Sequence, residues 1–507
     1  MNNLSPKSYW REHAGETPQF PPFSADAEAD VAVIGAGITG LTTALHLQDA
    51  GLRVAVFEAG RVGAGTSGGT SGHLEIAPDQ GWRRLVSDFG EDAAGRVIAF
   101  RRGAIDQIER WVERFEIKCK FQRIPARSFT EWGDNVAALR EECEAARSLG
   151  VEAAFRQDPL LPFPTAAAIE LPGQARFHIL RYLNALAEAL REGGTTIYED
   201  SQADVEAGKP CKVKANEHHL RCDSVVLATH SNYLGISQFD LRQAPYQSYV
   251  VAVRVAEELE DALYWDDEQP YHYLRRAAAD DPHLLLIGGA DHKTGQGDPR
   301  EHLEKLKNYI AGRFTVEEYL HEWSAEFFEP ADGLPFIGRA PLMENVYFAT
   351  GFSGTGLTYG TAAGRILADM ILGKPANAEV FSPARIGPLT AAPNFVRENL
   401  NAAARMIGDR VGAESVDSLD VIAQGEGRVV RHDGELVAVY RDEQGALHVF
   451  QPTCTHAGCI VHWNNLEGTW DCPCHGGRFS PTGCRMYGPP AADLKPAELP
   501  HFEQSHG

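Results

Sequence analysis

Residues 30–58 read DVAVIGAGITGLTTALHLQDAGLRVAVFE. Val31, Val33 and Ile34 make a short β-branched run suited to a buried parallel strand. It leads into Gly35-Ala36-Gly37-Ile38-Thr39-Gly40, then a segment of helical composition, then a second apolar run that ends in Glu58. Gly35 permits the tight turn, Gly37 lets the backbone approach a pyrophosphate, and Gly40 allows the helix to pack on the strand. The helix N-terminus offers N–H groups and positive dipole to the phosphates. Glu58, eighteen residues after Gly40, is placed to accept hydrogen bonds from a ribose. Glycine-rich turns also arise for purely structural reasons, so the information lies in the complete strand–turn–helix–strand–acid unit. An acid at position 58 argues against a 2′-phosphate, hence against NADP.

Around this unit the chain has 507 residues, enough for more than one domain, and a net charge of −23. That charge argues against nucleic acid and against docking on an anionic membrane surface. Residues 1–20 lack the apolar core of a signal peptide. The most apolar stretch, residues 30–47, is broken by Gly35, Gly37 and Gly40 and does not read as a membrane span, so the expected location is the cytoplasm. Cys119, Cys143, Cys211 and Cys222 are scattered and read as reduced thiols, whereas the other five cysteines fall between 454 and 484 and mark a local site.

Three further segments bear on the nucleotide. After Glu58 comes a loop rich in glycine and hydroxyls that includes Ala64, Gly65, Thr66, Ser67, Gly69, Gly72 and His73. Residues 223–229 read as another buried strand ending at Ala228-Thr229. Residues 332–338 and 346–356 follow, the latter closing with Phe352-Ser353-Gly354-Thr355-Gly356 ahead of a helix expected over 361–372. Amide groups of that last loop suit the edge of a flavin where negative charge develops on reduction.

Together these segments resemble the D-amino-acid-oxidase-like family of FAD-dependent oxidoreductases, especially its amine-oxidising, DadA-like members, over residues 28–375. The resemblance implies an α/β Rossmann-like FAD-binding domain with a mixed-sheet α+β substrate domain. Gly35, Gly37, Gly40 and Glu58 would hold the ADP half, while residues 64–72 and 352–356 would flank the isoalloxazine. Val205 becomes a candidate for adenine contact and Ala228 for the nucleotide site. Some members bind FAD covalently in the loop after the second strand; their position falls nearer Gly69 than His73, and a non-covalent flavin is expected. Tyr246, Tyr249, Tyr273 and Arg276 sit on expected strands of the substrate sheet and are candidates for a pocket over the flavin, where an arginine would clamp a carboxylate. For each of these residues, a half-exposed strand position is the competing reading.

Residues 376–412 are proline-rich and then helix-like, which marks a connector after a short N-terminal extension (1–27) and the oxidoreductase region (28–375). Residues 413–507 read as short strands and turns, an all-β unit. It carries Cys454-x-His456, fifteen intervening residues, then Cys472-x-x-His475. Two loops, each offering one thiolate and one imidazole, suit a [2Fe–2S] cluster with two Cys on one iron and two His on the other. Structural zinc also accepts Cys₂His₂ but usually opens with C-x₂₋₄-C. The words Cys-Thr-His-x-Gly-Cys and Cys-Pro-Cys-His-Gly resemble the Rieske family, and its cytochrome-bc branch in particular. That resemblance implies a disulfide between Cys459 and Cys474, with a reduced pair as the alternative. Where the branch has Ser and Tyr hydroxyls bonded to cluster sulfurs, this chain has Gly477 and Phe479, which implies a lower potential.

The expected function is oxidation of an amine or amino acid by FAD, with export of electrons through the Rieske centre to an external one-electron acceptor. The alternatives are a reductase component that delivers electrons from FAD to a partner, and a redox-sensing flavoprotein. The substrate is a small molecule that the sequence does not identify.

Overall fold

The computed structural model describes residues 8–157, 161–231, 239–410, 414–490 and 492–497 of the chain. All four residues of Val31–Ile34 are buried, which accounts for their unbroken apolar character. The strand lies inside a six-stranded sheet ordered Phe336–Arg339, Val346–Thr350, Ser224–Leu227, Val31–Ile34, Val54–Phe57, Thr196–Tyr198. Every pairing is parallel except that of the edge strand Phe336–Arg339. Helix Ile38–Asp49 packs against helix Gly356–Ile371, where Gly360 and Gly364 face Ile38 and Thr42. The second helix thus starts several residues before the expected 361, directly after the glycine loop. Residues 82–114 form two helices, Trp82–Phe89 and Glu91–Arg114, divided at Gly90 with φ 80°.

The mixed sheet has nine strands. Gln243–Val255 and Val316–Pro330 run antiparallel along nearly their whole lengths, from Gln243 opposite Pro330 to Val255 opposite Val316. Asp281–Lys293 pairs with the other side of Gln243–Val255, and Tyr273–Ala278 follows it. Leu263–Asp266 then runs parallel to Gln122–Thr130.

The C-terminal unit comprises two four-stranded sheets, one from Glu414–Ser415 to Leu447–Phe450 and one from His462–Asn464 to Arg485–Tyr487. Its core packs Tyr440, Phe450, Val461, Trp470 and Phe479 around the buried cysteines. Helix Ala392–Gly408 leads into it, and Ala402 and Met406 pack on that core. Arg478, 2% exposed, crosses to the mixed sheet: it donates to Gln247 Oε1 (2.9 Å) as well as to Asp471 and Tyr487. Gln247 and Ser324 both donate to Glu467, closing the link between the two units. Among the described residues, no helix is long and apolar enough to cross a membrane.

Candidate functional site

A cavity of about 1430 Å³ opens at the C-terminal end of the parallel strands and continues between the mixed sheet and the C-terminal unit. That volume exceeds the usual span of small-molecule pockets, roughly 300–1,000 Å³. Gly35, Gly37, Glu58, Gly65, Thr66, Ser67 and Ala228 line it, as do Phe352, Ser353, Gly354, Thr355 and Gly356.

The glycine turn has no room for side chains. A Cβ on Gly35, where φ is 103°, would stand 2.5 Å from the Ala228 carbonyl oxygen; on Gly40 it would stand 1.9 Å from that of Gly35. Gly40 therefore works by packing, and Gly37 caps the helix at the cavity. Glu58 accepts from the amides of Ala36 and Gly60, both at 2.9 Å, and its burial pushes the carboxyl pKa up. These groups fit the ADP half of FAD. Val205 does not line the cavity. Its strand Ala203–Glu206 pairs with Cys211–Ala215, placing Val205 opposite Val213, and residues 200–203 line the cavity in its stead.

The loop over residues 64–73 is held from two sides. From the N-terminal segment, Ser8 donates to Gly68 O (3.0 Å), Trp10 to Thr70 O (2.6 Å) and Arg11 to Ala64 O (2.7 Å). From the strand Val316–Pro330, Trp323 donates to Gly69 O (2.8 Å), while Glu326 O accepts from Thr66 Oγ1 (3.2 Å). His73 lines the cavity, with Nδ1 2.9 Å from Ser71 Oγ and its ring edge-on to Tyr273. Burial lowers its pKa to about 3.

Of Tyr246, Tyr249, Tyr273 and Arg276, Tyr273 alone lines the cavity, together with His73 of the glycine- and hydroxyl-rich loop. Tyr246 turns to Glu398 of the connector helix, and Tyr249 bonds His292 Nε2 at 2.8 Å. Arg276 donates to Leu259 O, away from the cavity; its neighbour Arg275, which shares the face of Tyr273, donates to Ser71 O at 2.8 Å. Cavity-lining residues that sequence reasoning missed are acidic and aromatic: Asp79, Trp265, Asp267, Tyr271 and Asp291. Strand alternation from Tyr273 back to Tyr271 was the available signal. Asp79 Oδ2 accepts from Gly354 N (3.1 Å), and a Cβ on Gly354 would stand 2.3 Å from Tyr271 Oη. Tyr271 and Tyr273 thus stand between the two loops expected to flank the flavin. Burial pushes Asp291 up to about 7.

In the C-terminal unit the rings of His456 and His475 meet edge-on, with centroids 5.0 Å apart. Both Nδ1 atoms are buried without a protein partner. Cys454 and Cys472 lie side by side, each thiol approached by two amides of its own loop: His456 and Ala457 for the first, Cys474 and His475 for the second. The Cys454 thiol holds Cys472 down at about 7. This donor set fits a [2Fe–2S] cluster, two sulfurs and two imidazole nitrogens being left for metal. Cys459 and Cys474 form a disulfide with a Cα separation of 6.5 Å, tying the two loops together. Nε2 of His456 lies 3.4 Å from Asp240 Oδ2 of the oxidoreductase region, with both side chains 1% exposed. Glu326, 1% exposed, lines the cavity on one side, and its Oε1 lies 2.5 Å from where a Cβ on Gly476 would stand. Burial pushes it up to about 8.

The fold and these two sites define a flavoprotein oxidoreductase fused to an iron–sulfur domain. Residues 30–370 match the family described as FAD dependent oxidoreductase and residues 414–501 the Rieske [2Fe-2S] domain, and the chain belongs to that oxidoreductase family. It therefore binds FAD in the first region and a [2Fe–2S] cluster in the second, and the zinc alternative falls away. The chain is 33% identical, over 98% of both chains, to the putative Rieske 2Fe-2S iron-sulfur protein YhfW of Bacillus subtilis (strain 168). It is 28% identical to the gamma-glutamylputrescine oxidoreductase of Escherichia coli (strain K12), across 74% of this chain and 91% of that one. A crystal structure of glycine oxidase from Geobacillus kaustophilus shares the fold, with a TM-score of 0.60 at 19% identity, covering 71% of this chain and 100% of the other.

Proposed function

We propose that this chain dehydrogenates the carbon next to an amine nitrogen and exports the electrons, through its own Rieske domain, to an external one-electron acceptor. The observation that carries this reading is the strand Val316–Pro330, which is shared by both sites. Thr66 of the flavin loop bonds the backbone of Glu326, and the Glu326 side chain abuts Gly476 of the cluster loop. One residue thus separates the two loops. FAD, when bound, accepts two electrons from a C–H bond and releases them singly, which suits a one-electron cluster.

Gly35, Gly37, Gly40 and Glu58 would hold the ADP half, and residues 65–67 and 352–356 the ring. Tyr271 and Tyr273 would shield the reacting carbon from water. Cys454, His456, Cys472 and His475 would hold the cluster. On this reading residues 28–375 dehydrogenate, 376–412 connect and 413–507 export. A reductase running the other way needs a nicotinamide site, and the sequence has a single complete dinucleotide fingerprint.

Anaerobic mixing of the holoenzyme with amines and amino acids tests the reading. Flavin bleaching followed by the electron paramagnetic resonance signal of a reduced Rieske cluster is expected. Bleaching by NADH instead favours the reductase, and a bleached flavin beside a cluster that stays oxidised favours the sensor.

A further inference from the structure

We infer that Tyr273, Ser248 and Asp291 form a proton relay that deprotonates the substrate's ammonium group, Tyr273 receiving the proton and Asp291 keeping it. The inference rests on the amine-dehydrogenating reading and adds the step that must precede loss of hydride.

The three residues come from three neighbouring strands of the mixed sheet, and two departures from regular pairing bring them together. Tyr273, on the strand Tyr273–Ala278, lies opposite Gly288 of Asp281–Lys293. A Cβ on Gly288 would stand 2.3 Å from the Tyr273 ring and 2.4 Å from its Oη, so a glycine is needed for the ring to cross that strand. On the far side its Oη meets Ser248 Oγ, of Gln243–Val255, at 3.0 Å. The second departure is a β-bulge. Gln247 pairs with His292 and Tyr249 with Gly289, so Ser248 faces both Ala290 and Asp291. Gly289 and Ala290 take φ values of 138° and 55° there. Bulges re-aim side chains beside active sites, and this one puts the Asp291 carboxyl in hydrogen-bond contact with Ser248. Tyr273, Ser248 and Asp291 all line the cavity.

An alkylammonium ion cannot form a C=N bond until it loses a proton. Tyr273 Oη takes that proton as its own passes to Ser248 Oγ, and the serine proton passes to Asp291. Each hydroxyl ends with one proton, as it began. The neutral amine then gives a hydride, with its electron pair, to the flavin and leaves as an iminium ion. The substrate carbon is oxidised, the flavin is reduced, and the released proton rests on Asp291. Burial, with Glu329 and Asp79 adding to it against Ser248 and His272, raises Asp291 to about 7, which suits an acceptor working near neutral pH. The phenols of Tyr271 and Tyr273 also face it, and burial keeps both neutral. His73 and His230 line the same cavity, but burial lowers them to about 3 and about 4, too low to retain a proton. Glu75 is held by Arg101 at 3.1 Å.

Anaerobic stopped flow of the holoenzyme with saturating glycine, sarcosine, L-proline or 1,4-diaminobutane tests the relay. With any of these that bleaches the flavin, the limiting rate constant should rise with pH and level off above about 7, because Asp291 accepts only as the carboxylate. Asp291→Asn, Ser248→Ala and Tyr273→Phe should each lower the plateau about 100-fold and abolish the rise, with FAD content and the dithionite-reduced cluster signal retained. If one variant loses its FAD, the other two carry the test. Infrared titration of the holoenzyme without substrate gives a second readout. A carboxyl band absent from Asp291→Asn should lose its proton at about 7, and Ser248→Ala should move that midpoint upward, because the carboxylate loses a donor. A wild-type rate in Tyr273→Phe or Ser248→Ala overturns the relay and leaves the dehydrogenase reading intact. A pH rise that survives Asp291→Asn, or a midpoint unmoved by Ser248→Ala, does the same. If no amine or amino acid bleaches the flavin, the dehydrogenase reading itself fails and the relay falls with it.

Discussion

Phe479 is fully buried beside the cluster loops, at a position where bc-type Rieske domains place a tyrosine hydroxyl near a cluster sulfur. Gly477 replaces a serine, and a Cβ there would stand 2.5 Å from Pro490 and 3.3 Å from Cys454 Sγ, so the proline has closed over the space. Hydrogen bonds to sulfur stabilise the extra electron. Their absence should place the potential in the lower half of the Rieske range of roughly −150 to +300 mV. Phe479→Tyr should raise it, as read by redox titration of the reduced-cluster signal; an unchanged potential would show that position 479 does not face the sulfurs. Asp291 makes the second prediction at this scale. Burial, with Glu329 and Asp79 nearby, raises its pKa to about 7 against the pull of Ser248 and His272. The carboxylate is neutral below that pH and charged above it. The rate of flavin reduction by an amine substrate should therefore change as pH rises through about 7, and Asp291→Asn should flatten that change. A wild-type profile as flat as the variant's would remove Asp291 from the pocket.

The N-terminal helix Tyr9–Glu12 is four residues long, yet its segment supplies three side-chain hydrogen bonds to the loop over residues 64–70. Trp10 is 1% exposed, and its indole N–H is the donor to Thr70 O. Trp10→Phe keeps an aromatic side chain but removes the indole N–H, leaving that carbonyl unpaired, which costs about 1–3 kcal/mol. FAD should leave the variant faster on dilution, as followed by flavin fluorescence; an unchanged release rate would mean the loop holds its shape without the helix. Nothing in residues 1–27 announces this role, because contacts some 60 residues apart in sequence leave no local periodicity. The glycine turn and the Cys/His spacing were legible for the opposite reason: each is a local rule, a turn with no room for Cβ atoms or two ligands on one loop. Helix starts shifted by several residues, since Gly356 follows directly on the 3-10 turn Ser353–Thr355. The pocket was misread through parity: Arg276 faces away, whereas Tyr273 and Arg275, two residues apart on the strand Tyr273–Ala278, share a face. Glu326 was invisible because its strand mixes charged and aromatic residues and its partners lie some 150 to 260 residues away.

For the whole molecule the decisive feature is that both redox units belong to one chain and share a wall. Arg478 anchors it, buried among Asp471, Glu467, Tyr487 and Gln247, with Ser324 completing the circuit through Glu467. A pair this deeply buried adds little net stability when intact, but removing one partner leaves the others uncompensated and costs about 3–5 kcal/mol. Arg478→Met should consequently loosen the Rieske unit from the mixed sheet while the disulfide and the Cys and His loops keep their local structure. The consequence is kinetic. Electron transfer from flavin to cluster in the intact chain should follow first-order kinetics, with a rate constant that does not change when holoenzyme is diluted tenfold in anaerobic stopped flow. In Arg478→Met the same constant should fall, because the distance between the loops at Glu326 is no longer fixed. A wild-type rate that scales with protein concentration would place the transfer between separate chains, and the shared strand would then be a packing contact with no part in electron flow.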